Sequence, residues 1–545
     1  MGITQLYFKM KKGTSKQHHR LILATAIFAV FIVISAVFMF VTEELVLSVW
    51  TTIHNLEVHD ALRKQNNGVP SSVIPPLNSH PTCLSRSQQY LYRKSSHLSA
   101  VPESLRQAWS SYADMQKSCF HGNWTELFLN KHGPASSRPD SCRYLVFIEG
   151  REGLGNLLLS LTTAFTFAMA TNRTLLIDSR GNVAKLLCEP FPETSWVLPT
   201  EFPYNLITDC PRLFSFQHNT TNASCVSLNL QHNITSPDKE FFCEDSFADL
   251  KHVTWVAWTS NQYFVTNLLL IPSFWQRMHP MMVEGRFFTY VSSLLLLPEN
   301  KTWSLIVRQL WSYLSAAELR VGIQVRLHGR KDLAQFEPGV DTKIMDCLLR
   351  YGLLPSLSEY ENSTEMHRVQ SRKMSDGKKP VDILLLLTSL QGKYSQVMRD
   401  RFMEMPTESF QTVQVHSVSQ LGRQDKGFQQ AQLAFVEMWL LSFCDFLATS
   451  EYSTFGYIAQ GLADLHPYIL TLKSSHNPSS CMVGQSSEPC THYPKVPTCL
   501  RKDSALSPAH KDWIRVYLRM CQDQPSGWQL VQPDAGGDAV PMEFL

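Results

Sequence analysis

The sequence predicts an α/β protein built on two parallel β-sheets. Apolar strand candidates alternate with helix candidates between residues 144 and 178, and again between residues 321 and 462. A glycine-rich turn follows the first of these strands, and a Ser-Thr-x-Gly turn leads from the last strand into a helix. Strands that alternate with helices form parallel sheets, because each helix supplies the right-handed crossover between neighbouring strands.

Composition and charge are those of a globular protein. The 545 residues are 44% hydrophobic, and the formal net charge is +2. This length is enough for two domains of ordinary size. So small a net charge gives no electrostatic basis for binding a polyanion, and no nucleic acid is expected as a partner.

The amino-terminal region predicts a membrane anchor and a stem. Residues 21–41 are apolar and uncharged, long enough as a helix to cross about 30 Å of hydrocarbon. Basic residues crowd the tail at 1–20 and acidic residues follow the apolar run, so the tail is expected in the cytoplasm and the rest in a lumen. A cleaved signal peptide is the alternative, but its apolar core is usually only ~7–15 residues. Residues 42–100 hold four prolines without periodicity, which indicates a luminal stem.

Sequons and cysteines also favour a lumen. The sequence has seven N-x-S/T sequons. Six are expected to carry glycans, namely Asn123, Asn219, Asn222, Asn233, Asn300 and Asn362. The seventh, at Asn172, lies inside a predicted βαβ unit, where burial would prevent glycosylation. Thirteen cysteines include Cys481, Cys490, Cys499 and Cys521, whose spacing lacks a C-x-x-C pair and favours disulfides over zinc. The odd total leaves at least one free thiol, for which we select Cys444 on an apolar helix face.

The first predicted domain covers residues 101–315. A strand at 144–148, a loop at 150–156, a helix at 157–171 and a strand at 174–177 form its βαβ unit. The segment 190–250 is expected to be an irregular insertion pinned by disulfides.

The loop of this unit carries two glycines. Gly153 and Gly155 would let backbone approach a ligand closely, and Asn156 either caps the helix or contacts that ligand. A nicotinamide oxidoreductase is a weak alternative. Asp178 follows the loop at the sequence separation at which dinucleotide-binding folds place a ribose-binding acid, but Leu158 stands where their fingerprint has a small residue.

The second predicted domain covers residues 316–530 and precedes a tail at 531–545. Its first strand ends in Gln324-Val325-Arg326. Ligands in open α/β sheets bind at the carboxyl ends of strands, so Arg326 could hold a diphosphate; a structural salt bridge is the alternative. Glu437 lies on the apolar stripe of the helix from Gln430, formed by Leu433, Leu440, Leu441 and Cys444. It therefore either pairs with a buried base or binds ligand hydroxyls.

The turn Ser453-Thr454-Phe455-Gly456 joins a strand at 446–450 to a helix, and Ser453 falls at the N-cap position. Unpaired N–H groups and a positive dipole end would meet there, which suits a diphosphate. The alternative is that Ser453 only caps its own helix.

Long motifs in a fixed order resemble the plant cell-wall fucosyltransferase family, whose best-known members fucosylate xyloglucan or arabinogalactan. The resemblance runs from about Arg93 to Leu530. Its motifs are Gly153-Leu154-Gly155-Asn156, AMATNRTLLID at 168–178, LCEPFPETSW at 187–196, YFV at 263–265, GIQVR at 322–326, TSL at 388–390, STFGYIAQGL at 453–462 and EPC at 488–490.

The resemblance implies a GT-B-like fold of two facing Rossmann-like domains in a Golgi type II membrane enzyme. It implies an inverting transfer of L-fucose from GDP-fucose to a galactosyl residue of a cell-wall glycan, in α-1,2 linkage. No metal or other cofactor is expected, and no Asp-x-Asp pair occurs in the sequence. The partners would be GDP-fucose, a polysaccharide or glycoprotein glycan and a membrane; whether the chain forms a homodimer is open.

The resemblance also assigns roles to residues. The first domain would face the acceptor through Gly153, Gly155 and Asn156. The second would bind the donor, with Arg326 also catalytic, through Arg326, Gln324, Glu437, Ser453, Thr454, Phe455 and Gly456.

One departure from the family pattern bears on catalysis. Where members usually have Asp-Asn-Tyr-Phe, this chain has Asn261-Gln262-Tyr263-Phe264, and Asn261 can orient a hydroxyl but cannot take its proton. The alternatives are therefore a catalytically weak or silent glycan- or GDP-sugar-binding homologue, or a fucosyltransferase for a different glycan.

Overall fold

The computed structural model describes most of the chain from Cys83 onward. The described residues are 83–93, 101–129, 142–212, 224–231, 240–327, 336–358, 368, 381–418, 427–472, 480–492 and 506–540, apart from positions 192, 283 and 534. The predicted anchor at 21–41 and the sequons at Asn219, Asn222, Asn233 and Asn362 lie outside them.

Most strands of the described residues are followed by a helix. In chain order they are α1 Leu84–Gln88, α2 Glu103–Ser118, α3 Trp124–Leu129, β1 Tyr144–Phe147, α4 Leu154–Thr171, β2 Thr174–Ile177, α5 Val183–Leu186, α6 Tyr204–Thr208, β3 Cys225–Leu230, α7 Glu244–Asp249, β4 Trp255–Ser260, α8 Val265–Leu268, α9 Pro272–Met278, α10 Phe287–Leu295, α11 Asn300–Ser312, β5 Ala317–Val325, α12 Val340–Arg350, β6 Val381–Ser389, α13 Lys393–Glu404, β7 Val413–His416, α14 Phe428–Leu441, β8 Phe446–Ser450, α15 Thr454–Ala463, β9 Tyr468–Leu470, β10 Cys481–Val483, α16 Pro508–Tyr517, β11 Leu518–Met520 and β12 Trp528–Leu530.

The strands form two large sheets and one hairpin. The first sheet has the order β2-β1-β4-β3 and is fully parallel. The second has the order β10-β9-β8-β5-β6-β7, and only β10 runs antiparallel to its neighbour. The small antiparallel pair β11-β12 lies near the carboxyl end. The predicted α/β class with two parallel sheets is confirmed.

The chain has two halves, each built around one of the two large sheets. Helices near the end of each half pack against the other half. Trp303 of α11 contacts Trp439 of α14 edge to face, with ring centroids 5.8 Å apart. In the other direction, His510 of α16 stacks on Trp275 of α9 at 4.3 Å and bonds the Leu269 carbonyl at 2.8 Å. The two halves therefore share one large apolar core.

Several disulfides hold the described residues together. They join Cys83 to Cys188, Cys119 to Cys142, Cys210 to Cys225, Cys347 to Cys481, and Cys490 to Cys521. Disulfides rather than zinc are thus confirmed for Cys481, Cys490 and Cys521, whereas Cys499 is outside the described residues. Cys444 is buried and free, as predicted.

The structure differs from the sequence-based expectations at several points. Helix α4 begins at Leu154, so Gly155 and Asn156 belong to its first turn, and its N-cap is Gly153, not Asn156. The segment 190–250, expected to be irregular, contributes the edge strand β3 to the first sheet. Residues 83–93, part of the predicted stem, pack on the body, where Gln88 Oε1 accepts from Trp303 Nε1 at 2.7 Å.

Two further points concern exposure. Asn172, for which burial was expected, is exposed at the left-handed C-cap of α4. Of the described helices, only α4 has the length and hydropathy of a membrane span, and 89% of that stretch is buried inside the protein.

Candidate active site

A cavity of about 1140 Å³ opens between the carboxyl edges of the two large sheets. Glu149 and Asn261, which follow β1 and β4, line it from the first sheet. Arg326, which follows β5, and Ser389, at the end of β6, line it from the second. Carboxyl edges are where open parallel sheets bind ligands, so this cavity is the candidate active site.

The turn before α15 forms one wall. Ser453 is the N-cap, and its Oγ accepts a hydrogen bond from the Gly456 amide at 3.3 Å. No described acceptor bonds the amides of Thr454 and Phe455, whose residues line the cavity. Tyr452, just before the cap, has the left-handed φ of 60°, a conformation that costs a non-glycine residue free energy.

The glycine turn of the first half packs directly on this wall. A Cβ added to Gly155 would lie 2.9 Å from Thr454 Oγ1 and 3.1 Å from the Phe455 amide nitrogen. Thr454 Oγ1 also donates to Asn156 Oδ1 at 2.6 Å. The amino termini of α4 and α15 therefore converge at one place, and both bring positive dipole ends to the cavity.

Arg326 is held at the same place through its backbone. Its amide donates to Ser450 Oγ at 2.8 Å, while that hydroxyl donates to the Gln324 carbonyl at 3.1 Å, so β5 and β8 are joined where they end. The Gln324 side chain accepts from the Ser450 amide at 3.3 Å. Burial lowers the pKa of the half-buried Arg326 guanidinium, and no described carboxylate pairs with it. The alternative of a structural salt bridge thus has no partner among the described residues.

Glu437 reaches the cavity from α14. It is only 7% exposed, between the buried Val436 and Met438. The predicted apolar stripe is wider than expected, because every residue from Phe435 to Leu441 is buried, whereas Leu433 is half-buried.

A buried polar cluster supports the turn from behind. Tyr457 of α15 donates to Asp523 Oδ2 at 2.5 Å, and its oxygen lies 2.8 Å from Nε2 of His492. Burial and the Asp523 carboxylate raise the pKa of Tyr457, so the phenol keeps its proton. Because that proton points to Asp523, the bond to His492 requires a proton on Nε2. The Tyr452 amide also donates to Asp523 Oδ2 at 3.1 Å, and His492 and Tyr452 both line the cavity.

A row of polar residues marks the carboxyl edge of the first sheet. In sheet order β2-β1-β4-β3, the strands lead into Asp178, Glu149, Asn261 and Gln231. Both oxygens of Asp178 accept from the Arg180 guanidinium, at 2.9 and 2.8 Å, and it does not line the cavity. Asp178 is therefore engaged within its own loop, which leaves the oxidoreductase alternative without support.

Glu149 is bound by backbone amides. Its two oxygens accept from Asn182 and Val183, at 2.9 and 2.8 Å. Burial raises the pKa of Glu149 despite these bonds. The carboxylate thus sits in a prepared position at the cavity wall.

The predicted site residues meet in one place. The cavity is lined by Gly153, Gly155, Asn156, Asn261, Gln324, Arg326, Glu437, Ser453, Thr454 and Phe455. Gly456 lies behind the wall, where an added Cβ would come within 2.9 Å of Thr449 Cβ. Sequence reasoning missed Glu149, Gln231 and His492. Glu149 could have been found as a polar residue directly after a predicted strand, whereas Gln231 follows a strand that was not predicted and nothing local marks His492.

One group of potential metal ligands occurs among the described residues, and its atoms are already engaged. Among the described residues, Cys490, Cys521 and Asp523 come close enough together to hold an ion. The two sulfurs are joined in a disulfide, however, and the Asp523 carboxylate accepts from Tyr457.

Comparisons with known proteins agree with this architecture. A family model described as xyloglucan fucosyltransferase matches residues 60–500. The galactoside 2-alpha-L-fucosyltransferase of Pisum sativum is 33% identical over 495 residues, which cover 87% of this chain and 83% of that protein. The protein of the same description from Arabidopsis thaliana is 32% identical over 473 residues, covering 83% of this chain and 80% of that protein.

A solved structure is similar over the same length. A mutant of Arabidopsis thaliana FUT1 in complex with GDP superposes with a TM-score of 0.71 at 30% identity, covering 84% of this chain and 99% of that chain. With the family model matched over most of the sequence, the chain belongs to the xyloglucan fucosyltransferase family.

Proposed function

We propose that this protein transfers L-fucose from GDP-fucose to a galactosyl residue of a cell-wall glycan, with inversion at the anomeric carbon and an α-1,2 linkage. The observation that carries the proposal is the convergence of Arg326 with two helix amino termini in a cavity between two parallel sheets. The similar proteins named galactoside 2-alpha-L-fucosyltransferase support the reaction, and the GDP complex of the similar structure supports the nucleotide.

The diphosphate is the part of the donor that this geometry fits best. The amides of Thr454 and Phe455 and the dipole ends of α4 and α15 favour an anion, and the Arg326 guanidinium can bind two phosphate oxygens at once. These groups would stabilise the negative charge that develops on GDP as the glycosidic bond breaks. Because the chain has no Asp-x-Asp pair, we assign this role to the protein cations and dipoles and not to a metal ion.

The roles of the two glycines and Asn156 change in this proposal. They were expected to face the acceptor, but Gly155 packs on Thr454, and Asn156 accepts from its hydroxyl. We therefore place the turn Gly153-Leu154-Gly155-Asn156 at the diphosphate. Asn261, on the first sheet, is left to orient the acceptor hydroxyl.

Arg326 provides the test. Purified protein should transfer labelled fucose from GDP-fucose to galactosylated xyloglucan in the presence of EDTA. Arg326→Ala should lower kcat at least ~100-fold, because a charge-stabilising group is lost. Arg326→Lys keeps the charge without the planar fork and should give an intermediate rate. An Arg326→Ala protein with near wild-type transfer would remove the role assigned here.

A second candidate is a glycan- or GDP-sugar-binding protein without turnover, which Asn261 favours because an amide cannot accept the hydroxyl proton. Calorimetry that shows GDP binding, together with no transfer to any galactosylated acceptor, would support it over the transferase.

We also propose a type II membrane topology in the Golgi, with the catalytic body in the lumen. The apolar run at 21–41, the sequons and the disulfides support this location.

A further inference from the structure

The first sheet presents three side chains to the cavity at its carboxyl edge. They are Glu149 after β1, Asn261 after β4 and Gln231 after β3. The amides of Asn261 and Gln231 do not take up a proton near neutral pH. Of these three described side chains, Glu149 is therefore the one that can accept a proton.

Glu149 and Asn261 follow two paired strands of the first sheet. In the parallel pair, Phe147 lies opposite Trp258, and the Ile148 amide donates to the Trp258 carbonyl at 2.9 Å. Glu149 lies two residues beyond Phe147, and Asn261 lies three residues beyond Trp258, so the two residues follow adjacent strands. Both residues therefore line the cavity from the same edge of the first sheet.

The loop after β2 is shaped to hold this carboxylate. The amides of Asn182 and Val183 each occupy one oxygen, and a side chain at Gly181 would overlap the Glu149 carboxylate. An ionised carboxylate accepts about four hydrogen bonds, so capacity remains on both oxygens.

The charges around Glu149 also suit a base. Burial raises its pKa, Asp178 raises it further, and Lys185 lowers it. A carboxylate whose pKa is raised towards neutrality accepts a proton more readily than an exposed one. Three other described side chains with a carboxylate or an imidazole line the cavity. Glu152 is exposed in the loop before α4, Glu437 lies on α14, and His492 lies against Tyr457 of α15, the helix that forms the Ser453 wall.

We propose that Glu149 is the general base that activates the acceptor hydroxyl. This assignment rests on the fucosyl transfer proposed above. The proton of the hydroxyl passes to Glu149, the hydroxyl oxygen forms a bond to the anomeric carbon, and the bond from that carbon to the phosphate oxygen breaks. Its electron pair leaves with GDP, and Glu149 later returns the proton to water.

Steady-state kinetics of Glu149→Gln test the assignment. A lost general base typically costs 10²–10⁴-fold, so kcat should fall at least ~100-fold while the Kd for GDP, measured by calorimetry, changes less than about twofold. Wild-type kcat/KM should fall as the pH drops through the pKa of Glu149, because the protonated acid cannot accept a second proton. This acidic limb should vanish from the residual activity of Glu149→Gln, and Glu149→Asp should restore part of kcat.

Glu189→Gln is the matched control. Glu189 is also a glutamate of the first half with a pKa raised by burial, and it accepts from Ser195 Oγ at 2.7 Å and the Trp196 amide at 2.9 Å, but it does not line the cavity. It should lose a similar amount of stability and keep both kcat and the acidic limb.

The outcomes separate the two proposals. Near wild-type kcat in Glu149→Gln, or a loss that comes with lost GDP binding, would overturn the base assignment alone. A wild-type protein that binds GDP but transfers no fucose would overturn the proposed function and this assignment with it.

Discussion

Gly155 shows how strongly one residue can constrain the site. The turn it occupies lies so close to Thr454 and Phe455 that any side chain would meet both the Thr454 hydroxyl and backbone atoms. Backbone atoms cannot rotate away as a long side chain can. Glycine is therefore required at residue 155 by packing between the two halves, rather than by a left-handed backbone.

Gly155→Ala should move the turn at 153–156 away from the turn at 453–456. Relieving the overlap costs ~1–3 kcal/mol in a packed interface, and the two helix termini would no longer meet at one point. The Kd for GDP should rise at least ~10-fold, as measured by calorimetry. Gly122→Ala is the control, since a Cβ there meets nothing within 4 Å. Unchanged GDP affinity in Gly155→Ala would contradict the placement of this turn at the diphosphate.

Residue roles were only partly predictable. Arg326 and Ser453 could be selected because each follows a recognisable strand. The contact of Gly155 with Thr454 could not, because it joins residues about 300 positions apart in the chain. Glu149 could have been selected, because it directly follows the strand predicted at 144–148, but the pairing of β1 with β4 that places both strand ends at the cavity is not visible in any local pattern.

At the scale of elements, the start of α15 forms the wall of the cavity that we assign to the donor. It is capped by Ser453, packs along α4, and its buried Tyr457 is bonded to Asp523. The cap and the buried hydrogen bond between Tyr457 and Asp523 therefore both fix the amino-terminal turns of α15. A helix end held in this way can bind an anion with little reorganisation.

Ser453→Ala tests whether Ser453 contributes to ligand binding in addition to capping α15. Loss of an N-cap hydroxyl costs ~1 kcal/mol, because the Gly456 amide loses its acceptor. Ser507→Ala removes the corresponding cap of α16, where Ser507 Oγ accepts from the His510 amide at 3.2 Å. Both variants should show similar shifts of the urea midpoint, but only Ser453→Ala should weaken GDP binding. Equal GDP affinity in the two variants would mean that Ser453 only caps its helix.

Elements with continuous apolar sequence were predicted closely. Strand β8 was expected at 446–450 and is Phe446–Ser450, and β2 agrees equally well. The start of α4 was placed three residues late, because Gly153 caps it without a side chain that could signal the boundary. Strand β3 was missed because cysteines and sequons surround it, and these features are typical of loops.

At the scale of the whole molecule, Glu488 joins distant parts of the chain. It is 1% exposed, and it accepts from Tyr263 OH at 3.2 Å and from the Phe288 amide at 2.5 Å. Tyr263 follows Asn261 in the first half, whereas Glu488 precedes Cys490 near the carboxyl end. Burial raises the pKa of Glu488 to about 8, so the folded protein keeps this acid neutral at pH 7.

This buried acid predicts a stability that depends on pH. Between the ordinary glutamate pKa of about 4.5 and the folded value of about 8, the unfolded chain has lost the proton and the folded chain retains it. The free energy of unfolding therefore falls as the pH rises through this window, by an amount on the order of a few kcal/mol.

Glu488→Gln should remove that part of the pH dependence. Relative to wild type, the urea midpoint of the variant should rise between pH 5 and pH 8. The exposed Glu103→Gln should follow the wild-type curve. Parallel curves for Glu488→Gln and wild type would show that Glu488 is ionised in the folded state.

The disulfides decide how the protein can be produced. Cys83–Cys188 and Cys347–Cys481 close loops with sequence separations of 105 and 134 residues, and loss of such a bond typically costs ~2–5 kcal/mol. In the reducing cytosol of a bacterial host, the protein would be produced without these disulfides. Recombinant material for kinetics should therefore come from a secreting eukaryotic host.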